Sequence, residues 1–478
     1  MQMDKTKQKI AFSFLVAIFL AAFEGVVVST AAPVIVKSLH DFEMLSWIFS
    51  IFLLTSAIST PIYGKLADLY GRKRMFIIGI SIFLVGSLLA GISQTMTQLI
   101  IFRGIQGIGA GAILTIGFTM IGDIFTVEER SIIQGAVSSI WGVAGLIGPL
   151  LGGFLIDYLS WHWIFLINIP FGLICIYILV KFVHEQKPTI KPKIDYIGTI
   201  LLSITIGTFL YGTMQLNEDF HLATNLFIVT FISAILFYLQ EAKISEPIVP
   251  LFILNKDSII VNIVTFLSSF ILIGCSVYLP LHIQSIMGYS ATIAGISLVT
   301  TSISWFISSI FTATLLKKYS TNFIIMVSSL ILIFSSWLLT TLTINTSLYY
   351  LSFYVFFFGF GFSGTLNTLT IIVQDSVKYN LRGAAVGLNM LTRLLAQTIG
   401  VTILGAYLNL ETDNYISSYN LINITMQNFY DNSTPQYNDI LRHALFYGLN
   451  HIYYILIGVG IISLIFSYFV PKHHSHNS

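Results

Sequence analysis

Charge is what this 478-residue chain lacks. Only 9% of its residues are Asp, Glu, Lys or Arg, where a soluble domain carries about 25%. With 55% hydrophobic residues and a mean hydropathy of +0.85, the polar surface is too small to cover a water-soluble particle. Most of the chain must face lipid or other apolar helices. The net charge of +2 says little about partners and gives no basis for a nucleic acid. Cysteine is equally scarce. Cys175 and Cys275 lie inside apolar runs, so their number excludes a disulfide framework and both read as small packing residues. Also missing are an H-E-x-x-H pair, a G-x-x-x-x-G-K-[ST] phosphate loop and any soluble segment longer than about 40 residues. Direct ATP hydrolysis is unsupported, no cofactor or metal is expected, and a membrane enzyme or sensor is a remote reading.

What the chain has instead is long apolar runs. A helix needs about 20 apolar residues to cross the hydrocarbon core. Fourteen segments qualify: 10–36, 45–64, 75–93, 97–121, 131–156, 161–183, 195–214, 222–241, 258–283, 290–316, 321–341, 347–373, 384–408 and 447–470. They are too long and too continuous for barrel strands. Lys5, Lys7 and Lys9 precede the first run as in a signal peptide, but that run is too long for one and reads as a retained first span. With an even number of spans both termini share a side. That side holds 19 of the 23 Lys and Arg, the opposite side holds Lys37 and Arg442, and Arg103 and Arg393 fall inside spans. The positive-inside rule therefore predicts cytoplasmic termini.

Between the second and third runs lies Gly64-Lys65-Leu66-Ala67-Asp68-Leu69-Tyr70-Gly71-Arg72-Lys73-Arg74. It reads as a short charged cytoplasmic loop whose glycines serve tight backbone turns. It resembles the signature loop of the major facilitator superfamily, roughly G-x-L-a-D-r-x-G-r-k. The fold this resemblance implies is an all-α integral membrane protein of two six-helix bundles plus two extra central helices. The bundles would be 1–183 and 251–478, with the connector and extra helices in 184–250. Residues 184–194 form a basic segment with Pro188 and Pro192, and 409–446 form a polar external loop or short surface helix with Glu411, Asp413, Asp431 and Asp439. Leu315–Asn322, where a second copy of the signature loop would fall, lacks the aspartate and the glycines. That is compatible with a parallel repeat.

The fourth span carries Arg103-Gly104-Ile105-Gln106-Gly107-Ile108-Gly109-Ala110-Gly111. The fifth carries Gly142, Gly145, Gly148-Pro149, Gly152 and Gly153. Glycines three and four apart share a helix face and let backbones approach closely, and Gly-Pro bends the helix. The order G-x-x-G-P-x-x-G-G resembles the signature of the superfamily's proton-driven exporters.

The first span holds Phe23-Glu24-Gly25-Val26-Val27-Val28-Ser29-Thr30-Ala31-Ala32-Pro33. It resembles the first-span signature of the 14-helix drug/proton antiporter branch, which includes exporters of quaternary-ammonium compounds. Glu24 lies roughly 21 Å along the helix axis, near or beyond mid-membrane. An isolated ionised carboxylate is costly there, and burial favours its neutral form. A carboxyl that takes and releases a proton at that depth suits proton coupling; a structural acid permanently paired with a cation is the other reading. Arg103 is the candidate cation, because the resemblance places spans 1 and 4 on one cavity and aligns Arg103 and Gln106 with the motif R-x-x-q-G-x-g-a. The expectation is that Arg103 contacts Glu24 when no substrate is bound, and that losing the contact promotes protonation. A rigid structural role for Arg103 stands beside it.

The resemblance implies a cytoplasmic latch at Gly64, Asp68, Gly71, Arg72 and Arg130. A charge-assisted contact there would bias a two-state equilibrium. Simple topology explains the cations but not Asp68. Asn389 and Arg393 resemble a pattern of the same branch in span 13, and a buried Arg393 must meet a carbonyl, hydroxyl or acid. Asp123, Asp195 and Asp375 read as interfacial at cytoplasmic helix ends, Asp157 at the outer end of span 5. Gln106, Tyr278, Phe23, Asn389 and Arg393 are candidates for lining a cavity, the aromatics by stacking and cation–π contact; core or interfacial placement is the alternative. The resemblance implies a proton-coupled multidrug efflux transporter, with lipophilic or cationic drugs, protons and the bilayer as partners, in a bacterial plasma membrane. An exporter of one metabolite or antibiotic is the alternative on the same fold.

Overall fold

The structure is a computed structural model that describes residues 4–125, 127–183, 195–215, 219–244, 255–316, 318–376, 382–419, 421, 424–431 and 435–471. The connector 184–194, and the side chains of Asp68, Asp123, Arg130 and Asp375, lie outside the described residues. Among the described residues every element is helical. The first set is α1 (Lys5–Leu39), α2 (Trp47–Tyr70), α3 (Arg72–Ala90), α4 (Met96–Ile124), α5 (Val127–Tyr158), α6 (Trp163–Leu166), α7 (Asn168–Phe182), α8 (Tyr196–Met214) and α9 (Phe220–Glu241). Then follow α10 (Lys256–Leu281), α11 (Ala291–Leu315), α12 (Thr321–Thr340), α13 (Leu348–Phe362), α14 (Thr368–Asp375), α15 (Arg382–Ser418), α16 (Met426–Asp431) and α17 (Asn438–Tyr468). A π turn, His282–Ile286, continues α10, and another, Ser363–Asn367, joins α13 to α14. Thirteen of the described helical stretches are long and apolar enough to cross a membrane, and α5 contributes a shorter apolar stretch, Val143–Tyr158. Helix is what lipid demands, since it satisfies every backbone group within the segment.

The chain divides into two compact units, Met1–Val28 with Trp47–Ile248, and Ser29–Ser46 with Val249–Ser478. The division falls inside α1. In the first unit α4 packs against both α2 and α3, and glycine makes this possible. A Cβ on Gly107 would strike Thr55 and the Phe52 carbonyl, one on Gly111 would strike Ser59, and one on Gly109 would strike Phe83 of α3. In the second unit α13 packs against both α11 and α12, with Gly359 on Ser304 and Gly361 on Leu332. The same small-residue device thus builds both units where lipid gives helices no hydrophobic reason to associate. Helices α8 and α9 pair with each other within the first unit, through Thr205–Ser233 and Thr208–Thr230 hydroxyl contacts of 2.9 and 2.8 Å. Asp195 caps α8 by accepting from the Gly198 N–H, and it also accepts from Gln240. Ile260, Val261, Val264, Ile325, Leu369, Ile372, Val373 and Val470 form one apolar cluster of the second unit.

Two expectations change in extent. The stretch 64–74 is helical except at Gly71, where α2 ends and α3 begins. Hydropathy marks where lipid ends; the helix itself runs through Lys65, Asp68 and Tyr70 to the first backbone conformation it cannot contain. Gly71 has φ 96° and ψ 135°, a region closed to side chains with a Cβ. The external segment 409–446 is likewise mostly helical, because α15 runs on to Ser418 and α17 begins at Asn438. Between them Tyr430 of α16 stacks on Phe42 at 5.4 Å and its hydroxyl meets Ser285 at 2.9 Å. Burial pushes the Tyr430 phenol up against the opposing effect of Ser285, so it remains a neutral hydroxyl.

Gly71→Ala should destabilise the protein by about 1–3 kcal/mol, the cost of a disfavoured backbone region, and lower the unfolding temperature in detergent. Gly207, where an added Cβ meets nothing within 4 Å, supplies the control: Gly207→Ala should leave that temperature unchanged or raised. Equal stability of the two variants would refute the role of Gly71 as the obligatory break.

Candidate functional site: a buried carboxylate–guanidinium network

Glu24 sits on the face of α1 that also carries Val27, Val28 and Ala31, and its side chain is fully buried. An acid so placed must find donors. Arg103 of α4, 1% exposed, donates from Nη1 to Glu24 Oε1, and from the same nitrogen to Gln106 Oε1 at 2.6 Å. Its Nε donates to the carbonyl of Ile48 in α2 at 3.1 Å. The guanidinium lies over the Phe52 ring, 4.2 Å from its centroid, with Phe165 at 5.7 Å. Gln106 Nε2 donates to Ser87 Oγ of α3 at 2.8 Å. Asn168, the first residue of α7, donates from Nδ2 to Glu24 Oε2 at 2.8 Å and lies 3.3 Å from Ser87 Oγ. The cluster therefore ties α1, α2, α3, α4 and α7 together within one unit.

Local sequence explains the positions. Thr95 caps α4 by accepting from the Gln98 N–H at 3.2 Å, while Gln98 Oε1 accepts from the Gln94 N–H, a capping-box arrangement that fixes where α4 begins. Arg103 and Gln106, three residues apart, then share one face. The exporter-like motif of α5 supports α1: a Cβ on Gly148 would press on Val26 and one on Gly152 on Val27, two and three residues from Glu24. Pro149 is buried inside α5, and Gly153 is buried as well. Gly145 is half-buried.

The other candidates fall elsewhere. Arg72 starts α3 beside Gly71, Gly64 lies inside α2, and neighbouring Lys73 donates to the carbonyls of Val180 and Val183 at the end of α7. Lys7 and Glu129 form an ion pair of 2.7 Å between α1 and α5. In the second unit Asn389 donates to Asn262 and Thr265 of α10. Arg393 Nη2 donates to the Leu366 carbonyl at 2.8 Å and to Thr370 at 2.7 Å; Leu366 lies in a π turn. Tyr278 is fully buried, with its hydroxyl donating to the Val401 carbonyl. Phe23 is buried and stacks on Phe19.

Sequence reasoning missed Asn168 and Ser87. Asn168 was findable as an amide inside an apolar run, since polar groups at membrane depth tend to be functional. Ser87 was not, because the chain is full of span serines that bond back to their own helix.

A sequence profile described as Major Facilitator Superfamily matches residues 14–401. "Multidrug resistance protein 3" of Bacillus subtilis (strain 168) is 34% identical over 414 residues, covering 84% of this chain and 81% of that protein. "Multidrug transporter protein MdtP" of the same organism is 32% identical over 408 residues, covering 84% and 75%. Among solved structures, a bacterial homolog of the human lysosomal transporter Spinster, inward-facing and occupied, aligns with a TM-score of 0.68 at 14% identity, covering 98% of this chain and 97% of that one. A profile match across most of the chain, relatives above 30% identity over four-fifths of it, and an all-helical fold of many membrane-length spans agree: the chain belongs to the Major Facilitator Superfamily.

Proposed function

We propose that this protein is a multidrug exporter of the superfamily, driven by proton entry and working by alternating access rather than by catalysis. The observation that carries the reading is the carboxyl of Glu24 buried at the hub of a network joining five helices; relatives named for multidrug transport support the substrate class. Ionised, Glu24 neutralises Arg103 and draws α1 to α4. Protonated, it loses the charge that holds the pair, while Arg103 keeps Gln106, the Ile48 carbonyl and the Phe52 face. The cost of breaking a buried pair, about 3–5 kcal/mol, is large enough to favour one conformation strongly over another. Lipophilic and cationic compounds are the substrates in this reading. Both termini face the cytoplasm of a bacterial plasma membrane, and Asp68 with Arg72 and Arg130 forms a latch on that side.

In sealed proteoliposomes with an imposed pH gradient, ethidium and several unrelated lipophilic cations should each collapse the gradient. Glu24→Gln should abolish this coupled flux while leaving a folded protein that still binds drug. Normal uphill transport by that variant would remove Glu24 from the mechanism. Silence of the intact protein across the panel would point to an exporter dedicated to a single metabolite or antibiotic.

Asp68→Asn should slow the transport cycle, about tenfold for each 1.4 kcal/mol of latch energy lost, with drug affinity unchanged. The check is turnover against equilibrium binding in the same preparation. A loss confined to affinity would sink the latch.

A further inference from the structure

Asn168 donates to Glu24 through Nδ2, and its amide has a second polar end. Its Oδ1 is buried and has no hydrogen-bond partner among the described residues. Leaving a buried acceptor unmet is costly, so its position against the carboxyl of Glu24 calls for a physical reason.

The two oxygens of Glu24 are not equivalent. Oε1 accepts from the charged Arg103, and Oε2 accepts from the neutral amide of Asn168. A proton therefore adds to Oε2, the oxygen without the cation. A hydronium ion gives up one proton to Oε2 and leaves as water, so that one O–H bond breaks as the other forms. The protonated oxygen is then a donor facing the Nδ2 of Asn168, which is also a donor. Rotation of the amide by half a turn removes this conflict, since it brings Oδ1 to the place of Nδ2 and lets it accept the new O–H. Ser87 is suited to both arrangements. Its hydroxyl accepts from Gln106, lies 3.3 Å from the Asn168 amide nitrogen, and can donate to Oδ1 once the amide has turned. One polar end of the amide is unmet in either orientation, so the exchange does not change that number. The charged group against Glu24 is Arg103 of α4; Gln106 of α4, Ser87 of α3, Asn168 of α7 and the Ile48 carbonyl of α2 are neutral.

We infer that Asn168 is a positioning residue whose amide follows the proton on Glu24, donating through Nδ2 to the carboxylate and accepting through Oδ1 from the acid. This rests on Glu24 being the proton carrier, as proposed above. Infrared difference spectra of the purified protein, acid minus neutral, test it. A carboxylic C=O band that disappears in Glu24→Gln belongs to Glu24. In Asn168→Leu and in the smaller Asn168→Ala that band should move to higher wavenumber, because the acid has lost its acceptor. In Asn168→Thr, whose hydroxyl both donates and accepts, it should return toward its original position. A Glu24 band unmoved in both the Leu and Ala variants overturns the role of Asn168 alone. Absence of any Glu24-dependent band in the native protein overturns the proton-carrier reading and this inference with it.

Discussion

A carboxylate and a guanidinium buried together inside a lipid-solvated bundle set the terms for the rest of the first unit. Neither ion is tolerable there alone, and the attraction between them covers the cost of desolvation only if their remaining hydrogen-bonding positions are filled. Gln106, Asn168, the Ile48 carbonyl and the ring of Phe52 fill them. Each comes from a helix other than α1, so those helices must approach closely enough for short side chains to reach. The glycines of α4 on α2 and α3, and those of α5 on α1, allow that approach. The glycine motifs are thus the geometric condition for the charged site, although they carry no chemistry themselves.

Among the described residues, the second unit repeats the packing without a buried arginine–carboxylate pair. Helix α13 lies on α11 and α12 as α4 lies on α2 and α3, but the cation inside this unit, Arg393 of α15, is held by a carbonyl and a hydroxyl. Neither partner carries a charge, so nothing there neutralises the guanidinium as Glu24 neutralises Arg103. The same architecture therefore carries a buried ion pair in one half and a cation with neutral partners in the other.

Much of this was legible in the sequence, and the limits have physical causes. The spans could be read because lipid imposes a length and a composition. Glu24 and Arg103 could be singled out because charge inside an apolar run is costly and therefore conspicuous, and Gln106 through its place three residues after Arg103 in the motif that the fourth span resembles. The helical reach of α2 through Lys65, Asp68 and Tyr70 could not, since hydropathy reports the lipid boundary while helix ends follow backbone conformation, here the positive φ of Gly71. The run of α15 past residue 409 escaped for the same reason. Ser87 escaped because a serine's importance lies in which helix it faces, and a single chain without pairing information does not give that.

Arg103 has partners that do not depend on Glu24, and this has an electrical consequence. With Glu24 ionised the cluster is neutral; with Glu24 protonated it carries one positive charge, kept in place by Gln106, Ile48 and Phe52. If Glu24 is the proton carrier, its loading changes the charge of a site within the membrane's electric field. That field acts on an elementary charge with about 2.3 kcal/mol per 100 mV across the full membrane. The resting voltage of the cell would then bias which way the transporter opens even when no pH gradient exists.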